Sequence, residues 1–249
     1  MNEKTEGIVL KQSDYKDNDY LLSVITPGYG LISLVARGAK KNSSKNSYAC
    51  SPLTLADFLF DDHYPSTLHA LHSATVTDTY KNIREDLLKV AAANVMLDMT
   101  GLILKETEGD AEIGPATYQL LKACLSYLNV SVHVNIALGI FLSNMLEIMG
   151  ISPQVDGCCV CGNPKIVGIS ISDGGFVCAD CKSDSIIYSV ETLRKFRLLN
   201  KAKPINFTVL ETYEPYEFPI IAILYQYLKE YGDINLTSWT FLSDLVIHK

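Results

Sequence analysis

Four cysteines carry the most distinctive chemistry in the chain. Cys158-Cys159-Val160-Cys161-Gly162 is followed, after sixteen intervening residues, by Cys178-Ala179-Asp180-Cys181. Two cysteines three positions apart on a tight turn place two thiolates on one side of the chain, and a glycine such as Gly162 lets the turn close without a Cβ clash. Lys165 to Ser172, Asp173-Gly174-Gly175 and Phe176-Val177 read as a hairpin that brings the second pair opposite the first. Cys158, Cys161, Cys178 and Cys181 are therefore candidate ligands of one structural zinc ion, held in a closed tetrahedral shell. Three rival readings stand beside it: a redox C-x-x-C pair, a catalytic zinc, and four reduced thiols facing solvent. A closed four-thiolate shell leaves no position for water or substrate, which argues against catalysis. Cys159 would replace Cys158 only through C-x-C spacing to Cys161, which suits the turn less well.

A basic window is the second candidate. No acidic residue lies between Asp19 and Asp57, and Arg37, Lys40, Lys41 and Lys45 fall within nine positions of that span. They sit in a polar stretch, Arg37 to Ser47, rich in Ser and Asn. Cations and hydroxyls of this kind suit phosphate oxygens and not base edges. Lys11 adds a further cation, and Tyr15 and Tyr29 offer rings for stacking. A second cluster, Arg194, Lys195 and Arg197, follows the cysteine segment. The bland reading of both clusters is a solvated surface. The whole chain carries 21 basic and 28 acidic residues, a net charge of −7. That excludes attachment to nucleic acid by bulk charge and leaves only a local basic face.

These residues must be positioned by elements. Glu6–Lys11, Tyr20–Thr26, Leu31–Ala36, Pro52–Phe60 and Ser66–Val76 read as five short strands, with Pro27-Gly28-Tyr29-Gly30 as a turn. Five such strands suit a small barrel or sandwich, and small barrels often bind single strands with a basic groove and aromatics. From Glu85 the texture becomes helical: Glu85–Glu106, Tyr118–Leu128 and Val132–Met149, then Ser189–Leu199 and Ile220–Tyr231. The expected class is α+β: a small β barrel or sandwich over 1–80, a helical domain over 81–155 and 183–249, and a cysteine insert over 156–182.

Charged residues interrupt positions 1–25, so no signal peptide is expected. The uncharged stretch Ala123 to Leu146 is punctuated by Ser, Asn and His and reads as buried helix; no membrane partner is expected. Seven cysteines without a secretory signal point to a reducing compartment. Cys50 and Cys124 read as core thiols, and His63, His69 and His72 as packing or surface residues. Phosphate-loop, dinucleotide, nucleophile-elbow and zinc-protease motifs are all missing, so the chain is not read as an enzyme.

The chain resembles the bacterial RecO family of recombination mediators. The likeness rests on Gly7-Ile8-Val9-Leu10-Lys11, Asp14-Tyr15, Asp19, Leu21-Leu22 and Tyr29-Gly30-Leu31-Ile32-Ser33-Leu34-Val35-Ala36-Arg37-Gly38-Ala39-Lys40-Lys41. It continues in Pro52-Leu53, Arg84-Glu85-Asp86-Leu87 and Cys158 to Gly162. One departure is Thr237, where the family often has a basic residue before the serine aligned with Ser238. The resemblance implies that the strands of 1–80 form an OB-fold barrel, followed by a helical domain and a zinc module. It implies binding of single- and double-stranded DNA, strand annealing, partnership with RecR, and contact with the acidic C-terminal tail of single-stranded DNA-binding protein. It also implies indirect help to RecA loading, in the bacterial cytoplasm at the nucleoid. A groove among the helices of 85–149 is the expected seat of the tail. The alternative is a zinc-stapled adaptor with little DNA affinity of its own.

Overall fold

The computed structural model describes residues 2–41, 46–61, 68–107, 112–183 and 186–247. Lys45 and His63 lie outside the described residues. The chain divides into two compact units: 1–129 with Ser238–Leu242, and 130–237 with 243–249.

The first unit opens with five strands: β1 (Asn2–Lys16), β2 (Asp19–Thr26), β3 (Gly30–Ala36), β4 (Leu55–Asp61) and β5 (Leu68–Asp78). The ladder runs β1-β2-β3-β5-β4 and returns to β1, a closed barrel with OB-fold strand order. β3 and β5 pair in parallel and all other neighbours antiparallel. β1 is long because it serves two partners. Asn2–Ile8 pairs with Leu55–Asp61, and Ile8–Lys16 pairs with Asp19–Ile25. Gly7 sits beside this handover, where a Cβ would come within 2.6 Å of Val24 Cγ1. Val9, Leu22, Val24, Ile32, Leu34, Phe58 and Phe60 fill the core, and Ala49 and Cys50, from a short 3-10 turn, join them. The five expected strands are all present. β1 runs further than its apolar segment because its charged ends pair through the backbone and leave their side chains in solvent.

Three helices complete this unit: α1 (Lys81–Arg84), α2 (Leu87–Glu106) and α3 (Ile113–Val130). Asp86 breaks α1 from α2, because its extended backbone caps α2 and its carboxylate accepts from Leu88 N (2.9 Å) and Lys89 N (3.1 Å). α2 packs on β1 and β3. Among the described residues it is also the one helix long and apolar enough to cross a bilayer, yet Ala91–Ala93, Val95–Leu97, Met99 and Ile103 are buried as core.

The second unit is organised on α4 (Val134–Ile148), which is buried on nearly every side, as an all-round apolar helix must be. A three-stranded sheet follows, β6 (Ile166–Ser170), β7 (Gly175–Cys178) and β8 (Ile186–Ile187), in the order β7-β6-β8. Then come α5 (Val190–Lys201), α6 (Phe207–Glu211) and α7 (Phe218–Gly232), all packed on α4. α8 (Thr237–Ile247) ends the described chain. Close approach to α4 uses Gly139, where a Cβ would lie 2.9 Å from Leu199 Cδ2.

Candidate functional site

The four cysteine sulfurs converge. Those of Cys158, Cys161, Cys178 and Cys181 all lie within 4.8 Å of one another, and the Cys161 and Cys178 sulfurs are 3.7 Å apart. Each pair sits on a turn built by backbone bonds. Gly162 N donates to Cys158 O (2.8 Å), Cys158 N to Asn163 O (2.9 Å) and Lys182 N to Cys178 O (3.0 Å). Gly162 takes φ +75°, a left-handed conformation that favours glycine. The β6–β7 hairpin brings the second turn to the first, and α7 pins it: Tyr227 Oη donates to Ser170 O (2.8 Å) and Tyr231 Oη to Ile171 O (2.7 Å).

Burial acts to push the Cys158 thiol up. Backbone N–H groups of Cys161, Cys178 and Val160 outweigh it and bring Cys158 down to about 6. Cys181 moves the other way, raised by the Cys161 and Cys178 sulfurs. Four thiolates this close repel one another, so full ionisation requires a cation among them. The four cysteines are thus positioned to hold a metal ion, and among the described residues no other His, Cys, Asp and Glu group is so placed. Cys159 stands outside the quartet. Its N–H donates to Phe176 O (2.7 Å), and burial raises its thiol. Cys50 and Cys124 are fully buried, and burial pushes Cys50 up to about 11 and Cys124 higher still. His69 packs on the Phe60 ring at 5.1 Å, and His72 pairs with Asp61 at 2.9 Å.

The basic candidates fall in different settings. Arg37 and Lys41 are exposed on the turn after β3. That turn is tied to the β1–β2 hairpin end: Gly38 N donates to Asp19 Oδ1 (2.8 Å) and Lys40 N to Asn18 O (3.1 Å). Lys40 folds back, its Nζ 2.8 Å from Asp14 Oδ1, 3.2 Å from Lys16 O and 5.5 Å from the centre of the Tyr20 ring. Lys11 is exposed on β1 opposite Ser23. Tyr15 is exposed near the same hairpin end, with Lys16 Nζ 5.4 Å from its ring centre. Tyr29 lies at the far end of β2, its ring edge-on to Phe60 at 5.6 Å and its hydroxyl 3.2 Å from Glu3 Oε2. The two tyrosines are therefore separated by the length of β2 and do not form one platform.

The second cluster is dispersed. Lys195 is buried, its Nζ donating to Pro215 O (2.7 Å) and pairing with Glu191 (2.8 Å). Arg197 pairs with Asp156 (2.8 Å), as does Lys201 (2.7 Å). The Arg194 guanidinium lies 4.9 Å over the Tyr213 ring.

Two further polar constellations join residues whose contacts no local sequence pattern predicts. Arg84 donates to Thr79 O, Pro52 O and Leu53 O, each at 2.7 Å, and holds the approach to β4. Glu6 accepts from Lys122 Nζ (2.5 Å) and from Tyr118 Oη, joining β1 to α3. Asp86, before an apolar run, does carry a readable helix-start signal.

The family models agree with this architecture. One described as Recombination protein O N terminal matches residues 1–80, and one described as Recombination protein O C terminal matches residues 84–240. The chain belongs to the RecO family. A DNA repair protein RecO of Halalkalibacterium halodurans is 28% identical over 249 residues, spanning 98% of this chain and 96% of the relative. A DNA repair protein RecO of Bacillus pumilus is 30% identical over 246 residues, spanning 97% and 94%. RecO membership places the chain in DNA repair and recombination, among proteins that work with DNA and the recombination machinery. Several of the RecO-like residues have structural work: Gly38 and Asp19 close a turn, Arg84 clamps a loop and Asp86 caps α2.

Proposed function

We propose that this chain is a recombination mediator with no catalytic chemistry of its own. It binds single- and double-stranded DNA without strong sequence preference and anneals complementary strands. With RecR it helps load RecA on strands coated by single-stranded DNA-binding protein, whose acidic C-terminal tail it contacts, in the bacterial cytoplasm. Residues 1–80 carry DNA, the helical segments 81–155 and 183–249 carry partner contacts, and 156–182 is a metal-stapled module. The observation that supports the reading most is the turn on which Arg37 and Lys41 stand exposed, at the end of β3 in a five-stranded barrel of OB-fold order. The ion we propose for the cysteines is one structural zinc. Zinc–sulfur bonds of about 2.3 Å give tetrahedral edges of about 3.8 Å, and the Cys161–Cys178 separation of 3.7 Å fits.

One set of observations favours the adaptor alternative. Lys40, Lys195 and Arg197 each have an acidic partner. A salt series on the purified chain with unlabelled competitor DNA separates the two readings. A mediator shows affinity that falls steeply as salt rises, because displaced counterions drive binding. An adaptor alone shows weak binding and a shallow slope, and holds DNA firmly only once RecR is added.

A further inference from the structure

Asp14 lies where it can govern the basic turn. Register places Asp14 of β1 beside Tyr20 of β2, and Tyr20 beside Ala36 of β3. The chain then turns through Gly38, and Lys40 returns across Tyr20 to meet Asp14 at 2.8 Å. The exposures are unequal: 21% for the Lys40 side chain and 81% for Asp14. An ammonium has three donors. Asp14 and the Lys16 carbonyl take two, so one remains for an incoming oxygen. An ion pair with so exposed a carboxylate is weak and exchanges partners readily.

We propose that Asp14 is an internal competitor for phosphate: it holds Lys40 in place but lowers the DNA affinity of this face below what its cations alone would give. The inference rests on the reading that this face carries DNA. A phosphate reaching Lys40 must displace the carboxylate and then sit beside it. Lys40 consequently releases fewer counterions than Arg37 or Lys41, whose side chains stand in solvent. Asp14 thereby determines affinity without any need to touch DNA.

The test uses the full chain and an oligothymidylate probe across a salt series. Asp14→Asn is expected to bind about threefold to tenfold tighter at low salt and to steepen the log–log slope by up to about 0.7. Asp17→Asn is the control, because Asp17 is exposed on the same hairpin and has no ion pair among the described residues. It should give a smaller gain. The deciding measurement repeats Asp14→Asn in a Lys40→Ala background. Loss of the gain there supports the proposal, because the two residues then act as a pair. An equal gain with and without Lys40, or with Asp17→Asn, would overturn it in favour of simple bulk charge. No gain in Asp14→Asn also overturns it. Arg37→Ala with Lys41→Ala tests the underlying reading separately: if that variant weakens binding while Asp14→Asn does nothing, only the competitor role fails. If neither change affects binding, the DNA face itself is wrong.

Discussion

Arg84 shows how a single side chain can hold together a loop some thirty positions away in the chain. Its guanidinium accounts for three backbone carbonyls, and Leu53 beside it takes φ +60°, a left-handed conformation that an L side chain adopts only when held. Arg84→Ala should cost about 2 kcal/mol in urea unfolding, because charge-assisted bonds are among the stronger ones. Asp86→Ala should cost about 1 kcal/mol through loss of the α2 cap. Neither change should alter the salt slope of DNA binding; a normal stability with weakened DNA binding would make Arg84 a contact and not a clamp. Glu6 brings a pH dependence. Burial works to raise its carboxyl, but the bonds from Lys122 and Tyr118 prevail and hold it below the ordinary 4.5. A carboxyl with a lowered folded value contributes stability above its unfolded value, and the contribution is lost as pH falls through the folded one. The stability gap between the parent and Glu6→Gln should therefore be full near neutrality and narrow on acidification below 4.5. A gap that stays constant to low pH would mean that the Glu6 charge does not join β1 to α3.

At the scale of elements, the cysteine module combines a small sheet with turns that the fold only partly supports. Phe176, Phe196 and Tyr227 form a ring chain at 5.9 and 6.4 Å, and the Tyr227 and Tyr231 hydroxyls hold the β6–β7 turn. The hairpin thus has side-chain anchors of its own, whereas the two cysteine turns are built by local backbone bonds and, on the proposed reading, would be joined to each other by the ion. Elemental analysis should find about one metal ion per chain. Cys158→Ser or Cys178→Ser should abolish it, and Cys159→Ser should not. Chelation should expose the 157–163 turn to proteolysis while leaving most helical signal. Equal protease resistance before and after chelation would count against a structural role. Much of this module is legible in the sequence, because ligand spacing, turn glycines and hairpin lie within about twenty-five residues of one another. The barrel strands are legible too, through alternation and turn residues. The Glu6–Tyr118 contact is not, since its partners lie 112 positions apart and neither carries a local pattern. The dispersal of Arg194, Lys195 and Arg197 is equally hidden. Their closeness in sequence says nothing of direction: on a helix, neighbours at i and i+1 point to different sides.

At the scale of the whole molecule, the proposed function requires a net charge of −7 to coexist with a face that engages a polyanion. The repulsion is spread over the surface and is screened beyond about 10 Å at 0.1 M salt. On that reading Arg37 and Lys41 would act at contact distance, where a local excess of positive charge outweighs the remote acids. Because they would touch backbone and not base edges, affinity should vary little with sequence. Each full single-strand contact contributes about 0.7 to the salt slope. Changing Arg37, Lys40 and Lys41 together to Ala should then remove between about 1.4 and 2.1 units, the lower figure applying if Asp14 already neutralises Lys40. Lys41→Glu alone should weaken binding more than Lys41→Ala, since it adds repulsion to the loss. The triple variant should keep the barrel core, because Arg37 and Lys41 are exposed and the turn's backbone bonds to Asp19 and Asn18 do not use these side chains. It should also anneal complementary strands more slowly, since two phosphate backbones approach each other only when the protein offsets their charge. A folded triple variant whose affinity, slope and annealing rate match the parent would move DNA contact away from this turn. The adaptor reading would then gain ground, with Arg194, which has no acidic partner among the described residues, the next residue to change.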